Sequence, residues 1–127
     1  MNEPIVNRLR EICLAFPEAE ERSFGGHTAP AFRVREKLFV MTSEYPPFSL
    51  VCKAAPGAQA VLVGSNPERF FVPKYVGSKG WIGVNLDAVE DWEEIAGLIA
   101  ESYRLIAPRR LVEMMDGEAK RDRKSVV

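Results

Sequence analysis

The sequence predicts an α+β domain in which helices cover one face of an antiparallel sheet. Short apolar segments of strand length follow one another closely in the first half of the chain, which favours antiparallel pairing through short connections. Apolar residues recur at helical spacing near both ends of the chain. The 127 residues suit one domain, so we predict a two-layer architecture with the order α-β(3–4)-α-β(2)-α.

The first half of the chain predicts one helix followed by three or four strands. Apolar residues share one side of a helix over Glu3–Ala15, and Pro17 ends it. The strand segments, separated by turn residues, are Glu21–Phe24, Ala31–Val34, Lys37–Met41 and Phe48–Lys53. Arg35 and Glu36 form the tight turn between the second and third of these strands. In the second strand Arg33 alternates with apolar neighbours, as in a strand with one buried face.

The second half predicts a short helix, a hairpin and the longest helix of the chain. The short helix covers Pro56–Val63, with proline in its first turn and Gly64 at its end. Strands over Phe70–Tyr75 and Trp81–Leu86 flank Gly77-Ser78-Lys79-Gly80, which is typical of a hairpin turn.

Asp91 and Glu94 stand at capping-box spacing at the start of the last strong helix. Its buried stripe is Trp92, Ile95, Ile99 and Ile106. Arg109–Met115 adds one or two helical turns after Pro108. We therefore predict a single domain over residues 1–115 and a charged, flexible tail over residues 116–127.

The cysteines and the composition predict an intracellular protein. Cys13 and Cys52 both fall in apolar patterns outside any CxxC pair, so we expect buried free thiols rather than a redox or metal site. We find neither a secretory signal nor an apolar run long enough to span a membrane. Together these features predict a cytoplasmic location.

No motif in the sequence predicts an active site. His27 is the only histidine, which excludes sites that need two, and no GxSxG, P-loop or dinucleotide-binding motif accompanies it. The acidic residues between Asp87 and Glu94 are explained by the start of a helix. We predict no catalytic residue, no cofactor and no metal, and therefore a protein that is not an enzyme.

Charge is distributed unevenly, although the formal net charge is only −1. Residues 23–86 carry seven basic and three acidic residues, whereas residues 87–103 carry six acidic residues and no basic one. The candidate phosphate-binding residues surround the two predicted turns and are Arg33, Arg35, Lys37, Lys74 and Lys79. The alternative is that lysine and arginine at sheet edges only prevent aggregation. Trp81 and Trp92 are interpreted as core or hairpin anchors, with base stacking by Trp81 or Tyr75 as the alternative.

Three segments together resemble the MmcQ/YjbR family. They are Gly26–Val34 with the following Lys37 and Phe39, then Tyr75–Val84, then Asp91-Trp92 leading to Glu101–Pro108. The resemblance covers the chain up to about Val112, and the Lys-Gly-Trp hairpin followed by the Ser-Tyr helix is specific in combination.

The resemblance implies a compact two-layer fold similar to secretion-chaperone-like domains, and DNA binding through a double-wing arrangement of hairpins. It implies no catalytic residues. Our leading hypothesis is a non-enzymatic DNA-binding protein, monomeric or weakly dimeric, that contacts phosphates through both basic hairpins. Two alternatives stay open: a protein-interaction module with an exposed apolar patch, and a small-molecule-binding protein with a pocket near His27 and Tyr75.

Overall fold

A computed structural model describes residues 3–23, 29–44, 48–87, 89 and 91–125, with side chains described as far as residue 117. The helices are α1 (Glu3–Leu14), α2 (Ala58–Ser65), α3 (Trp92–Ile106) and α4 (Arg109–Ser125), with a 3₁₀ turn over Gly77–Lys79. The strands are β1 (Ala19–Glu21), β2 (Ala31–Val34), β3 (Lys37–Ser43), β4 (Ser49–Lys53), β5 (Phe70–Phe71) and β6 (Trp81–Asn85). The predicted α+β class and element order are confirmed.

The described strands form one antiparallel sheet in the order β1-β2-β3-β4-β6-β5. The first four strands follow chain order because short connections join them. Helix α2 then carries the chain past the place of β6, so β5 becomes an edge strand and β6 returns beside β4. This crossover brings two connections that are distant in sequence to the same end of the sheet.

The core lies between one face of the sheet and helices α1 and α3. Residues on neighbouring strands line up on this face, as Val40, Cys52 and Ile82 do, and all three are fully buried. Phe39 is the extra residue at an irregularity in the β2–β3 register, and it is buried as well. Its ring packs edge-on against Tyr103 of α3, with centroids 5.5 Å apart.

Helix α3 begins as its sequence predicts. The Asp91 side chain accepts hydrogen bonds from the backbone N–H groups of Glu93 and Glu94, at 3.0 and 3.1 Å. The predicted stripe is also present, but it contains a buried polar residue. The Ser102 hydroxyl donates to the carbonyl of Phe39 at 2.6 Å and accepts from the N–H of Lys53 at 2.9 Å. Ser102 therefore ties α3 to two strands of the sheet.

Strand β1, helix α2 and strand β5 have boundaries that differ from the sequence-based expectation. Strand β1 ends at Glu21, where the prediction began, and Phe24 lies outside the described residues. Helix α2 starts at Ala58, after Gly57 with φ 85° as its N-cap, and it extends to Ser65, so Gly64 falls within the helix. The predicted strand over Phe70–Tyr75 was wrong beyond Phe71.

Helix α4 is longer than the one or two turns that the sequence predicted. Its backbone is helical to Ser125, so the helix includes much of the segment that we expected to be a charged tail. Its first residues pack through Leu111, which is fully buried. The domain boundary at residue 115 and the flexibility of the segment beyond it stay predictions.

Candidate nucleic-acid interface

The β2–β3 turn is tight, and ion pairs hold it. Arg35 and Glu36 have φ values of 49° and 68°, the sign that a primed two-residue hairpin turn requires and that glycine or asparagine usually supplies. The Arg35 Nε and Nη2 atoms donate to the two carboxylate oxygens of Glu18 at 2.6 and 2.9 Å. The Glu36 carboxylate accepts from Nη2 of Arg22 at 2.7 Å. Both turn residues therefore have a partner on the segment that includes β1.

These pairs shift the pKa values of Glu18, Arg35 and Arg22 in the direction that opposite charges require. The hydrogen bond from Arg35 is the main cause that lowers the pKa of the Glu18 carboxyl. The same bond raises the pKa of Arg35, and the bond to Glu36 raises the pKa of Arg22. The positive charge of Arg35 is thus largely balanced by Glu18.

Arg33 and Lys37 lie beside this turn in different surroundings. The half-buried Arg33 donates from Nη1 to the backbone carbonyl of Glu36 at 3.1 Å, and its Nε is buried without a hydrogen-bond partner. Lys37 is exposed, and it forms no ion pair with any described residue. Of the three basic residues predicted here, only Lys37 has a fully available charge.

The prediction of a tight hairpin turn at Gly77-Ser78-Lys79-Gly80 was wrong. The connection between β5 and β6, residues 72–80, contains a turn at Tyr75 and the 3₁₀ turn over Gly77–Lys79. The backbone N–H of Val76 donates to the carbonyl of Lys74 at 2.7 Å across Tyr75, whose φ is 68°. This is the γ-turn with positive φ, which is rare and strained.

Uncharged contacts hold the β5–β6 connection in place: hydrogen bonds from Gln59 and the close packing of Gly77. The side-chain amide of Gln59 on α2 donates to the carbonyls of Gly77 and Trp81 at 2.8 and 2.7 Å. Gly77 is buried so tightly that a β-carbon there would lie 2.6 Å from the Val72 side chain. A larger residue has no room at this position, which explains the glycine better than a hairpin turn does.

Lys74 and Lys79 are both exposed on this connection, and within the described part of the chain neither forms an ion pair. Tyr75, between them in sequence, is 94% exposed.

Both basic segments lie at one end of the sheet, which we call the turn end. Strand β2 reaches the β2–β3 turn there, and Lys53 at the end of β4 pairs with Trp81 at the start of β6. The β5–β6 connection precedes Trp81 and therefore lies at the same end. Three strand spacings separate the centres of the two segments, or about 14 Å.

Neither Lys53 nor Gln59 was among the candidate residues predicted from the sequence. Lys53 is half-buried at the end of β4, between the two basic segments in the strand order. Only the crossover through α2 brings these residues together, and no local sequence pattern predicts that β6 lies between β4 and β5.

The acidic start of α3 lies at the opposite end of the sheet. Strand β6 runs away from the turn end, because Asn85 pairs with Ser49 at the start of β4. Helix α3 begins soon afterwards with Asp91 as its cap, and Glu94 there pairs with Arg69 at 2.8 Å. The strongest cluster of negative charge in the sequence is thus kept away from the two basic segments.

The face of the sheet opposite α1 and α3 carries apolar side chains. By register Met41, Val51 and Gly83 stand side by side, and the ring of Phe71 lies directly over Gly83. Met41, Val51 and Phe71 are half-buried. The protein-interaction hypothesis requires an exposed apolar patch and dimerisation, and both stay predictions.

Among the described residues, the remaining reactive groups form no recognisable chemical site. Cys13 and Cys52 are buried free thiols, as predicted. Burial raises the pKa of Cys52 to about 12 and raises that of Cys13 still further, so neither is a thiolate at neutral pH.

His27, on which the pocket hypothesis depends, lies outside the described residues. Among the residues that are described, no three histidine, cysteine or carboxylate side chains group to hold a metal ion. No described helix has the length and apolar character needed to cross a bilayer.

Comparison with known proteins identifies the same family that the sequence resembles. A family model described as YjbR matches residues 14–105. The crystal structure of the Deinococcus radiodurans protein DR2400, which carries the domain DUF419, superposes with a TM-score of 0.74 at 21% sequence identity and covers 87% of each chain. At that identity the similarity establishes the fold alone. No curated protein matches the sequence.

Proposed function

The chain belongs to the YjbR family, and we propose that it is a non-enzymatic DNA-binding protein that contacts the phosphate backbone. One observation carries the proposal. The β2–β3 turn and the β5–β6 connection, which are distant in sequence, both present basic residues at the turn end of the sheet, while the acidic start of α3 lies at the other end. Such a separation of charge favours a polyanionic partner that approaches one end of the molecule.

Four of the five candidate residues would make the phosphate contacts. Lys37, Lys74 and Lys79 have no carboxylate partner among the described residues, and Arg33 adds a guanidinium beside them. Arg35 is already engaged by Glu18, so we assign it to holding the turn.

The separation of the basic segments suits a duplex. About 14 Å between their centres is comparable with the width of the major groove, about 12 Å. Contacts from the two segments would therefore reach phosphates on opposite sides of one groove. Phosphate contacts carry no base information, so we expect similar affinity for duplexes of different sequence.

The salt dependence of duplex binding tests the proposal. Four phosphate contacts predict a slope of about −3.6 for the logarithm of the binding constant against the logarithm of salt concentration. Fluorescence anisotropy with a labelled duplex, measured over a range of salt concentrations, gives this slope. Replacing Lys74 or Lys79 by alanine should bring the slope closer to zero by about 0.9 per residue.

A matched control removes the same charge elsewhere. Arg8 is exposed on α1 and lies over the ring of Trp92 at the start of α3, with 5.9 Å between its guanidinium carbon and the ring centre. Arg8→Ala lowers the net charge as much as Lys79→Ala but leaves the turn end intact, so its slope should equal that of the wild type. Equal effects of Arg8→Ala and Lys79→Ala, or a wild-type slope near zero, would contradict the proposal.

A further inference from the structure

The Tyr75 side chain has no structural role that its surroundings explain. It is 94% exposed, whereas the other large hydrophobic side chains left open among the described residues are 44% to 69% exposed. A tyrosine that contributes to folding normally buries most of its ring and finds a partner for its hydroxyl. The ring of Tyr75 therefore contributes little to the packing of the domain.

The backbone at Tyr75 is strained, and a tyrosine is a costly residue for it. The residue has φ 68° at the centre of a γ-turn closed by a 2.7 Å hydrogen bond from Val76 to Lys74. Glycine would adopt this conformation without hindrance from a β-carbon. Strained residues of this kind persist where the surrounding structure fixes them, and they concentrate at binding sites.

The strained turn is held in one position by its buried neighbours. The N–H of Gly77 donates to the carbonyl of Pro73 at 3.1 Å, and Gln59 holds the carbonyls of Gly77 and Trp81. The backbone that carries the Tyr75 ring is thus held in place, although the ring projects into solvent. Because the backbone that carries the ring is already held, binding a flat partner restricts only the side-chain torsions of the tyrosine.

Positive charge surrounds the ring along the chain. Lys74 precedes it, and the N–H of Lys79 donates to the carbonyl of Val76 at 3.0 Å, which keeps Lys79 within the same connection. An aromatic face beside unpaired lysines is the combination with which proteins bind single-stranded nucleic acid, since the ring stacks on a base and the lysines contact the flanking phosphates.

We propose that Tyr75 stacks on an unpaired nucleobase, so that the turn end of the sheet prefers DNA with single-stranded segments over uninterrupted duplex. This inference rests on the proposed DNA-binding function and specifies its partner. It assigns Lys74 and Lys79 to the phosphates on either side of the stacked base. A base within intact duplex is stacked on both faces and offers no surface to Tyr75.

The test compares a short thymidine strand, an abasic strand of the same length and a duplex, each labelled and titrated with the full chain. The abasic strand has the same phosphates but no bases. Stacking on one base predicts that the wild type binds the thymidine strand roughly 5- to 150-fold more tightly than the abasic strand. Tyr75→Ala should abolish this difference and leave duplex binding unchanged, whereas Tyr75→Phe should preserve it because the ring remains.

The outcomes separate this inference from the proposed function. Duplex binding with the expected salt slope, but equal affinity for the thymidine and abasic strands, would overturn the stacking role alone. An equal loss of duplex and single-strand binding in Tyr75→Ala would overturn it too, because the ring would then be a general contact. Absence of binding to all three DNAs would reject the DNA-binding function itself and favour a protein partner for Tyr75. Thermal melts of both variants check that each is folded.

Discussion

The two basic segments at the turn end use similar residues for different purposes. In the β2–β3 turn, the backbone strain at Arg35 and Glu36 is stabilised by ion pairs with Glu18 and Arg22. In the β5–β6 connection, the strained backbone at Tyr75 is held by uncharged contacts, which are the hydrogen bonds from Gln59 and the packing of Gly77 against Val72. Its lysines consequently remain without partners in the described chain. The first segment uses the charges of its two turn residues, Arg35 and Glu36, to hold the turn, whereas the second folds in a way that leaves the charges of both lysines available.

This difference changes how a charge-rich turn should be interpreted. Counting basic residues gives the first segment three candidates and the second two, and nothing in the sequence separates their roles. Once the partners are known, Arg35 belongs to the fold, whereas Lys74 and Lys79 are the stronger candidates for binding. Variants that change one residue at a time test the difference.

The largest expected effect is at Gln59, which supports the β5–β6 connection. Gln59→Leu keeps a side chain of similar size but leaves the carbonyls of Gly77 and Trp81 without this donor. The carbonyl of Gly77 still accepts from the N–H of Gly80 at 3.0 Å, so the loss of the two Gln59 hydrogen bonds predicts a fall of about 1–3 kcal/mol in the free energy of unfolding. Urea denaturation measures it.

Gln59→Glu is the matched control, because its carboxylate cannot donate and would face two carbonyl oxygens. It should be at least as destabilising as leucine. If Gln59→Leu unfolds within about 0.5 kcal/mol of the wild type, the amide does not hold the connection.

The elements of the fold could be predicted because their signals are local. The apolar period of α1, the Asp91 cap of α3 and the strands around Arg35 and Glu36 all depend on neighbours in sequence. The β5–β6 connection could not be predicted in the same way. Gly77 and Gly80 suggest a hairpin turn, but the buried position of Gly77 is set by Val72.

The residues of the candidate site could be predicted from the sequence, but the contacts that give them different roles could not. Lys74 and Lys79 could be selected from sequence because they are basic and flank a turn. The pairing of Arg35 with Glu18 spans 17 residues, and the contact from Gln59 to Trp81 spans 22. Such long-range contacts depend on strand order, which the sequence did not reveal, so the unequal roles of the two segments emerge only from the fold.

A smaller effect of opposite sign is expected at Tyr75. Because the ring is almost fully exposed, Tyr75→Gly removes little packing while it relieves a strained positive φ. We expect the free energy of unfolding to rise by about 1 kcal/mol, the strain relieved less the entropy cost of glycine.

Arg35→Gly provides the comparison, since it relieves a similar φ but also loses the bond to Glu18, so its gain should be smaller or absent. Chemical denaturation of both variants measures the difference. A destabilised Tyr75→Gly protein would show that the tyrosine supports the turn and would weaken its assignment to binding.

The smallest expected effect is a pH dependence confined to the β2–β3 turn. The bond from Arg35 lowers the pKa of Glu18 in the folded protein, so the pair stabilises the fold above the ordinary carboxyl pKa. That contribution is lost as the pH falls through the lowered pKa. The effect is small because both side chains are about half exposed and solvent screens them.

Glu18→Gln isolates this contribution, since the amide keeps the shape of the side chain but does not titrate. Between about pH 5 and pH 3 the melting temperature of the wild type should fall more steeply than that of the variant. The Gln59 contacts carry no charge, so Gln59→Leu should lower the melting temperature by a similar amount at both pH values. Parallel pH profiles for the wild type and Glu18→Gln would mean that the ion pair does not stabilise the turn, and Arg35 would then return to the set of residues available for phosphate contact.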